Sequence, residues 1–397
     1  VVGTPKMRAR SWGAFRQLGW RTWTSRCLCA APAIIAIVLA GCVAHVTDKN
    51  VLQTWGYASW WYPPTAAQLD GMHLDRLMFF QIEIGVDGRI KESHGWPTQY
   101  QSLLRAAKQR GIPLDLTLTL QGTDDFEKLF GNPESIRQLL ATCTKLAEET
   151  GAVAGLQLDF ETYDEMTPES IAGLRGFVSR LAVALHGASP RRSLSVFIPA
   201  NGQILYDSTS LADIDWGVMQ SYDAHWITSE QAGPLAPISG TEEVTWDKVV
   251  KAGEALGLGH DRMVMTYPLY GYEWPTQDQN ERARTTGPAM TTTLEPVPPG
   301  VLPLIQSNVR ERVARFGCHH DRRSGSSFYR FRDPRKGWGV GWYEGAWSLQ
   351  LKRQFVIQHD LAGIAFFVLG YDGGRLVGSI DKSRSTAYGE VVAQGCL

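Results

Sequence analysis

The 397-residue sequence is short of four things, and each shortage closes off a class of function. Cysteine comes first, with six in all: Cys27, Cys29 and Cys42 near the N-terminus, and Cys143, Cys318 and Cys396 in the body. None stands at metal-ligand spacing, and His319-His320 after Cys318 reads as a loop cluster, so neither a metal nor a cofactor is expected. Cys143 falls in a helical pattern and reads as a small buried hydrophobe. Cys318 and Cys396 are left as a candidate pair whose geometry sequence alone cannot give. Long hydrophobic runs are also missing. The apolar stretch from Ala30 to Ala40 has eleven residues, where a membrane-spanning helix needs about 20. Positive charge is scarce outside the N-terminus. Residues 1–41 hold six basic side chains (Lys6, Arg8, Arg10, Arg16, Arg21, Arg26) and no acid, leaving 33 basic against 40 acidic beyond them. A mildly acidic body without a Lys/Arg stripe excludes nucleic acid as the expected partner. Finally, there is no internal repeat and no low-complexity linker, which points to one folded unit beyond the N-terminal segment.

What is present begins at that segment. A basic stretch ends at Arg26, the apolar run follows, and it closes in Leu39-Ala40-Gly41-Cys42. Basic, apolar and small-residue regions in this order read as an export signal. The tetrapeptide resembles a bacterial lipobox, which implies lipidation of Cys42 and a lipid-anchored place in the bacterial cell envelope, periplasmic or outer-membrane. The expected organisation is a signal over residues 1–41, a short tether over 42–52 and a folded domain over 53–397.

Eight short apolar runs lie between helical patterns: Trp55–Trp60, Leu77–Ile84, Leu114–Leu120, Val153–Phe160, Leu194–Ile198, Trp216–Ser221, Met263–Tyr267 and Gly363–Leu369. Most are near-continuous rather than two-faced, as parallel strands buried on both sides require. Asn132-Pro133-Glu134 and Thr167-Pro168-Glu169 carry helix-start signals, and Thr245 and Ser348 are expected caps for Trp246–Leu256 and Leu349–His359. Strand–helix alternation of this kind predicts an α/β fold, a (β/α)8 TIM barrel. One connection is too long for a simple loop. Residues 271–346, between the seventh strand and the last helix, are rich in Pro, Thr, Gly, Arg and aromatics and read as an insertion.

The chemistry concentrates in Ala154-Gly155-Leu156-Gln157-Leu158-Asp159-Phe160-Glu161. Alternate residues of a strand share a face, so Gln157, Asp159 and Glu161 point one way and Leu156, Leu158 and Phe160 the other. The apolar set packs under helices, and the polar set must face the barrel interior. Two carboxylates there cost free energy unless paired or hydrogen-bonded, and crowding raises one pKa, as a proton donor near neutral pH requires. A structural Asp with a rim Glu would satisfy the same spacing.

The segment is similar to the Asp-Gly-x-Asp-x-Asp-x-Glu signature on the fourth strand of glycoside hydrolase family 18, the chitinase-like barrels. Met219-Gln220-Ser221-Tyr222-Asp223 resembles the family's sixth-strand Met-x-x-Tyr-Asp, and Tyr267-Pro268-Leu269-Tyr270-Gly271 its seventh-strand Pro-x-Tyr-Gly. Gly363 to Asp372 resembles the eighth-strand ending, and Gly56 to Trp61 the first strand. The resemblance implies a substrate-assisted reaction. Glu161 would be the general acid, Asp159 would orient the sugar's 2-acetamido group, and Tyr222 would bind its carbonyl, with Asp223 supporting. Gln157, Met219, Trp60, Tyr267, Tyr270 and Phe367 would complete the substrate-binding set. Two family aspartates are replaced here, by Ala154 and Gln157, which implies weakened or pH-shifted activity, and Phe367 stands where the family has a Trp. Trp60, Trp61, Trp226, Tyr272, Trp274, Trp338 and Trp342 are expected to line the cleft, since aromatic faces stack on the C–H faces of sugars.

The reading that follows is a hydrolase of β-linked N-acetylglucosamine-containing glycan, chitin-like or peptidoglycan-like. Two alternatives stand beside it: a glycan-binding envelope lipoprotein without turnover, and a barrel hydrolase acting on a sugar without an acetamido group.

Overall fold

Strands that are apolar on both faces must be covered on both, and a closed sheet wrapped in helices meets that demand. The structure, a computed structural model, describes residues 51–397 other than 149–150, 163, 201, 203, 299, 302–304, 336, 381 and 383–394. The signal, the lipobox with Cys42 and most of the tether lie outside the described residues. Eight parallel strands form the barrel: Gln53–Ser59, Arg76–Ile84, Leu114–Gln121, Val153–Glu161, Ser193–Ile198, Trp216–Met219, Met263–Pro268 and Gly363–Phe367. The first pairs with both the eighth (Trp55 opposite Ala365) and the second (Gly56 opposite Leu77), which closes the sheet. All eight runs expected from the sequence are strands, with ends displaced by one or two residues.

Helices cover the outside. Pro133–Glu148 and Pro168–Gly187 follow the third and fourth strands, and Thr167 accepts a bond from the Ser170 N–H at the start of the latter. Thr245 caps Trp246–Ala255 through the Lys248 N–H. The helix before the eighth strand departs from expectation. It runs Ala346–Gln358 with Gly345 at its cap, so Ser348 sits inside the first turn, buried. Between the fifth and sixth strands the described residues form turns and no helix.

Side-chain parity divides the core in two. Leu156, Leu158, Phe160, Met219, Met263 and Phe366 face the helices, while Trp55, Tyr57, Met78, Phe197, Val218, Val264 and Ala365 fill the barrel. The N-terminal end of the barrel is sealed by an ion pair. Arg76 bonds both carboxylate oxygens of Asp115 (2.6 and 2.7 Å) and the Ser193 hydroxyl (3.0 Å). Its guanidinium also lies over the rings of Trp55 and Trp216. Gly155 belongs to this seal, because a Cβ there would fall 2.0 Å from Ser193 Oγ and 3.0 Å from Asp115 Oδ1.

The long connection after the seventh strand folds as a six-stranded sheet. Its central strands Tyr270–Thr276, Ser326–Asp333 and Gly337–Tyr343 pair antiparallel, and helix Val309–Phe316 packs on it. A disulfide joins Cys318, at the edge of this sheet, to Cys396. Cys143 is buried with a free thiol.

Candidate active site

With its floor sealed, the barrel opens at the C-terminal ends of the strands. A cavity of about 190 Å³ lies there, lined by Tyr57, Phe80, Gln121, Asp159, Glu161, Phe197, Tyr222, Asp223, Thr266, Tyr270 and Phe367. Each strand contributes by the same parity rule. Asp159 and Glu161 stand two apart on the fourth strand, and Gln157 lies below them, fully buried. A larger hollow of about 350 Å³ lies elsewhere, beside Glu295, Arg310 and Arg375. Both of its carboxylates are already engaged, Glu295 by Arg310 and Asp372 by the backbone N–H groups of Gly374 and Val377.

The lower layer fixes the upper one. Thr117 on the third strand donates to Gln157 Oε1 (3.1 Å), so the Gln157 amide nitrogen has the other orientation. That nitrogen and Asp159 Oδ1 are both buried without a hydrogen-bond partner among the described residues. Tyr57 stands beside both groups. On the far wall Tyr222 lies parallel to Phe367, with ring centres 6.2 Å apart and 12° between planes. Phe367 in turn meets Tyr57 and Phe80 edge-on at 5.5 and 5.2 Å. Asp223 adopts a left-handed φ of 60°, unusual for any residue except Gly, Asn and Asp, and receives a hydrogen bond from the Tyr270 hydroxyl (2.8 Å).

Electrostatics follow from burial. Asp159 is held well above the ordinary carboxylate range, first by desolvation and then by the charge of Glu161. Glu161 is raised by desolvation, with a bond from the Gln121 side chain pulling it back. Two such groups on one strand titrate as a pair, and the second proton leaves only at elevated pH. Asp223 is pushed up to about 6 by burial, against the lowering effect of its Tyr270 hydrogen bond. Burial, with the neighbouring carboxylates Asp223, Asp159 and Glu161, keeps the Tyr222 hydroxyl protonated. The cavity therefore offers a retained carboxylic proton, a neutral hydroxyl donor and an apolar floor of flat rings. No group of three or more His, Cys, Asp or Glu with metal-binding geometry occurs among the described residues.

Of the residues singled out in the sequence, Asp159, Glu161, Tyr222, Asp223, Tyr270 and Phe367 meet at this cavity. Gln157 supports them from below. Met219 and Tyr267 do not join them. Met219 faces outward against Gly253, and the Tyr267 hydroxyl donates to the Gly345 carbonyl (2.9 Å), at the start of helix Ala346–Gln358. Trp60 lies outside the cavity lining, 38% exposed and stacked face to face on His94 at 4.1 Å. The expected ring of cleft aromatics needs correction as well. Tyr272, Trp274 and Trp342 are buried in the insertion, while Trp226 is 51% exposed. Sequence reading missed Tyr57, Phe80, Gln121, Phe197 and Thr266. Counting in twos along each strand, as for the fourth, would have found them.

Comparison with known proteins bears on the family and the fold. The family model described as Glycosyl hydrolases family 18 matches residues 53–372. A curated relative, the uncharacterized glycosylase YvbX of Bacillus subtilis, is 24% identical over 225 residues, covering 54% of this chain and 57% of its own. The chain thus spans little more than half the length of that relative. Among solved structures, the spore cortex-lytic enzyme SleL of Bacillus megaterium superposes with a TM-score of 0.63 at 18% identity, covering 83% of this chain and 74% of its own. A chitinase of family 18 from Cycas revoluta, in complex with (GlcNAc)3, superposes with a TM-score of 0.67 at 18% identity, covering 82% and 97%.

Proposed function

Because the chain belongs to glycosyl hydrolases family 18, we propose that it cleaves β-linked N-acetylglucosamine-containing glycan, chitin-like or peptidoglycan-like, with the sugar's own acetamido group as nucleophile. The observation that carries this reading is the shared cavity of Glu161, Asp159 and Tyr222. Protonated Glu161 gives its proton to the glycosidic oxygen as the bond from that oxygen to the anomeric carbon breaks. The acetamido carbonyl oxygen attacks the anomeric carbon from the other face, forming a cyclic oxazolinium. Asp159 receives the acetamido N–H, and the Tyr222 hydroxyl donates to the carbonyl oxygen. Glu161, now a carboxylate, takes a proton from water, which opens the ring and restores both the acid and the acetamido group.

Two carboxylates serving as acid and nucleophile would be the alternative way to retain configuration. Desolvation of Asp159 beneath the cavity, with its pKa raised, disfavours a free anionic nucleophile there. Glu161→Gln should lower kcat on chitin oligomers by about 10²–10⁴-fold while leaving glycan binding intact. Oligomer hydrolysis followed by chromatography, with calorimetric binding of the same variant, checks both halves. A wild type that binds these oligomers without cutting them would instead favour a glycan-binding role. Inhibition by a thiazoline mimic of the oxazolinium tests the acetamido route.

A further inference from the structure

Resting on the reading that Glu161 delivers the proton, we propose that Gln121 is a positioning residue for it. The Gln121 side-chain amide holds one oxygen of the Glu161 carboxyl, so that the proton rides on the other oxygen, the one turned to the glycosidic bond.

The alternation of the third strand sets up this contact. Leu114, Leu116, Leu118 and Leu120 join the core under the helices, which leaves Asp115, Thr117, Thr119 and Gln121 facing the barrel interior. The fourth strand presents Gln157, Asp159 and Glu161 inward as well. The register sets the two rows abreast: Thr117 beside Gln157, Thr119 beside Asp159, and Gln121 beside Glu161. The lowest of these rungs is bonded, Thr117 to Gln157 at 3.1 Å. The highest lies at the cavity, whose lining includes both Gln121 and Glu161. Just past Gln121, the Gly122 N–H donates to the Glu161 carbonyl (3.1 Å) and ties the ends of the two strands together. Gln121 is exposed, whereas Thr117 and Thr119 are buried, so core packing makes no demand on the side chain at this position.

The surroundings of Glu161 give that amide its importance. The titratable groups that bear on Glu161 are Asp159 on its own strand, Tyr206 beyond the fifth strand, and Tyr222 and Asp223 beyond the sixth. All are acids or phenols, and the described lining of the cavity holds no Lys, Arg or His. Burial raises the Glu161 carboxyl, and the bond with Gln121 draws it back. A carboxylic acid keeps its proton on one oxygen at a time. The oxygen that accepts an amide N–H is the carbonyl oxygen of the acid, so the hydroxyl falls to the other. Once the proton has left, the same N–H lies on a carboxylate, and hydrogen bonds to charged groups are the stronger ones. The amide therefore aims the proton before transfer and stabilises the anion after it. It does not titrate itself, so the hold persists at every pH at which the protein is folded.

Carbon-13 NMR of the whole protein, labelled at its glutamate carboxyls, tests the contact without requiring turnover, and Glu161→Gln assigns the signal. Glu161 should titrate at higher pH in Gln121→Leu and in Gln121→Ala than in the wild type. Because the side chain is exposed, neither variant should melt much below the wild type. On chitin oligomers, Gln121→Leu should lower kcat by about tenfold with KM little changed, and should move the alkaline limb of the kcat profile upward. A Glu161 titration identical in the wild type and both variants overturns the proposal. So does a lowered kcat whose alkaline limb stays in place, the mark of a merely structural loss. A wild type that cuts no oligomer sinks the cleavage reading alone, and the titration still decides whether Gln121 holds Glu161.

Discussion

At the scale of single residues, the site is an arrangement the fold holds against its own stability. Asp159 and Glu161 both keep a raised pKa because burial penalises their charged forms. Below the ordinary carboxylate range, folded and unfolded chains carry the same protons, and the pair costs nothing through ionisation. As pH rises, the unfolded chain releases its protons first, so stability falls until the folded pair has also ionised. Asp159→Asn and Glu161→Gln should therefore raise the melting temperature at pH 7 and change it little at pH 4, by scanning calorimetry at both pH values. An equal effect at the two pH values would contradict the assignment. The pair itself was legible in the sequence, because Leu156, Leu158 and Phe160 claim one face of the strand and leave Gln157, Asp159 and Glu161 the other. The same count of two would have turned Met219 and Tyr267 away from the cavity, since Val218 and Thr266 take the inner positions beside them. Motif matching overrode parity there. The placing of Trp60 was beyond the sequence for another reason: its stacking partner His94 lies 34 residues on, in a loop that no local pattern foretells.

At the scale of elements, the eight strands were readable because continuous apolar runs have few other uses, and helix starts at Pro133 and Pro168 because their chemistry is local. The insertion was legible only as something too long for a loop. Its strands pair across distances such as Phe328 with Trp342 and Trp342 with Tyr272, and its buried Glu273 is held by Tyr329 and Arg312, contacts with no short-range signature. The seal between strands was likewise invisible, since Arg76, Asp115 and Ser193 come from three of them. Burial raises Asp115 even against Arg76, so the pair depends on its partner staying in place. Arg76→Met should destabilise by about 3–5 kcal/mol, because the carboxylate is left buried and alone. Replacing both residues with apolar ones should recover much of the loss. Urea unfolding of the single and double variants checks the pair, and additive losses would argue against it.

At the scale of the whole molecule, the disulfide draws the insertion and the far end of the chain together over a separation of 78 residues. The Tyr343 hydroxyl adds a bond to the Cys396 carbonyl (2.7 Å), so the tail is tied at two points. Cys318→Ser should lower stability by about 2–4 kcal/mol, with most of the effect arising from the freer unfolded chain. Urea midpoints of the variant, and of the native protein with and without reductant, would show it.

The sealed end of the barrel has a consequence for traffic. With Arg76 clamped between two indoles and two strands' polar groups, nothing threads through the molecule from top to bottom. On the cleavage reading proposed above, a polymer would lie across the rim and dip inward from it. Both fragments would then leave by the same doorway through which the intact strand arrived.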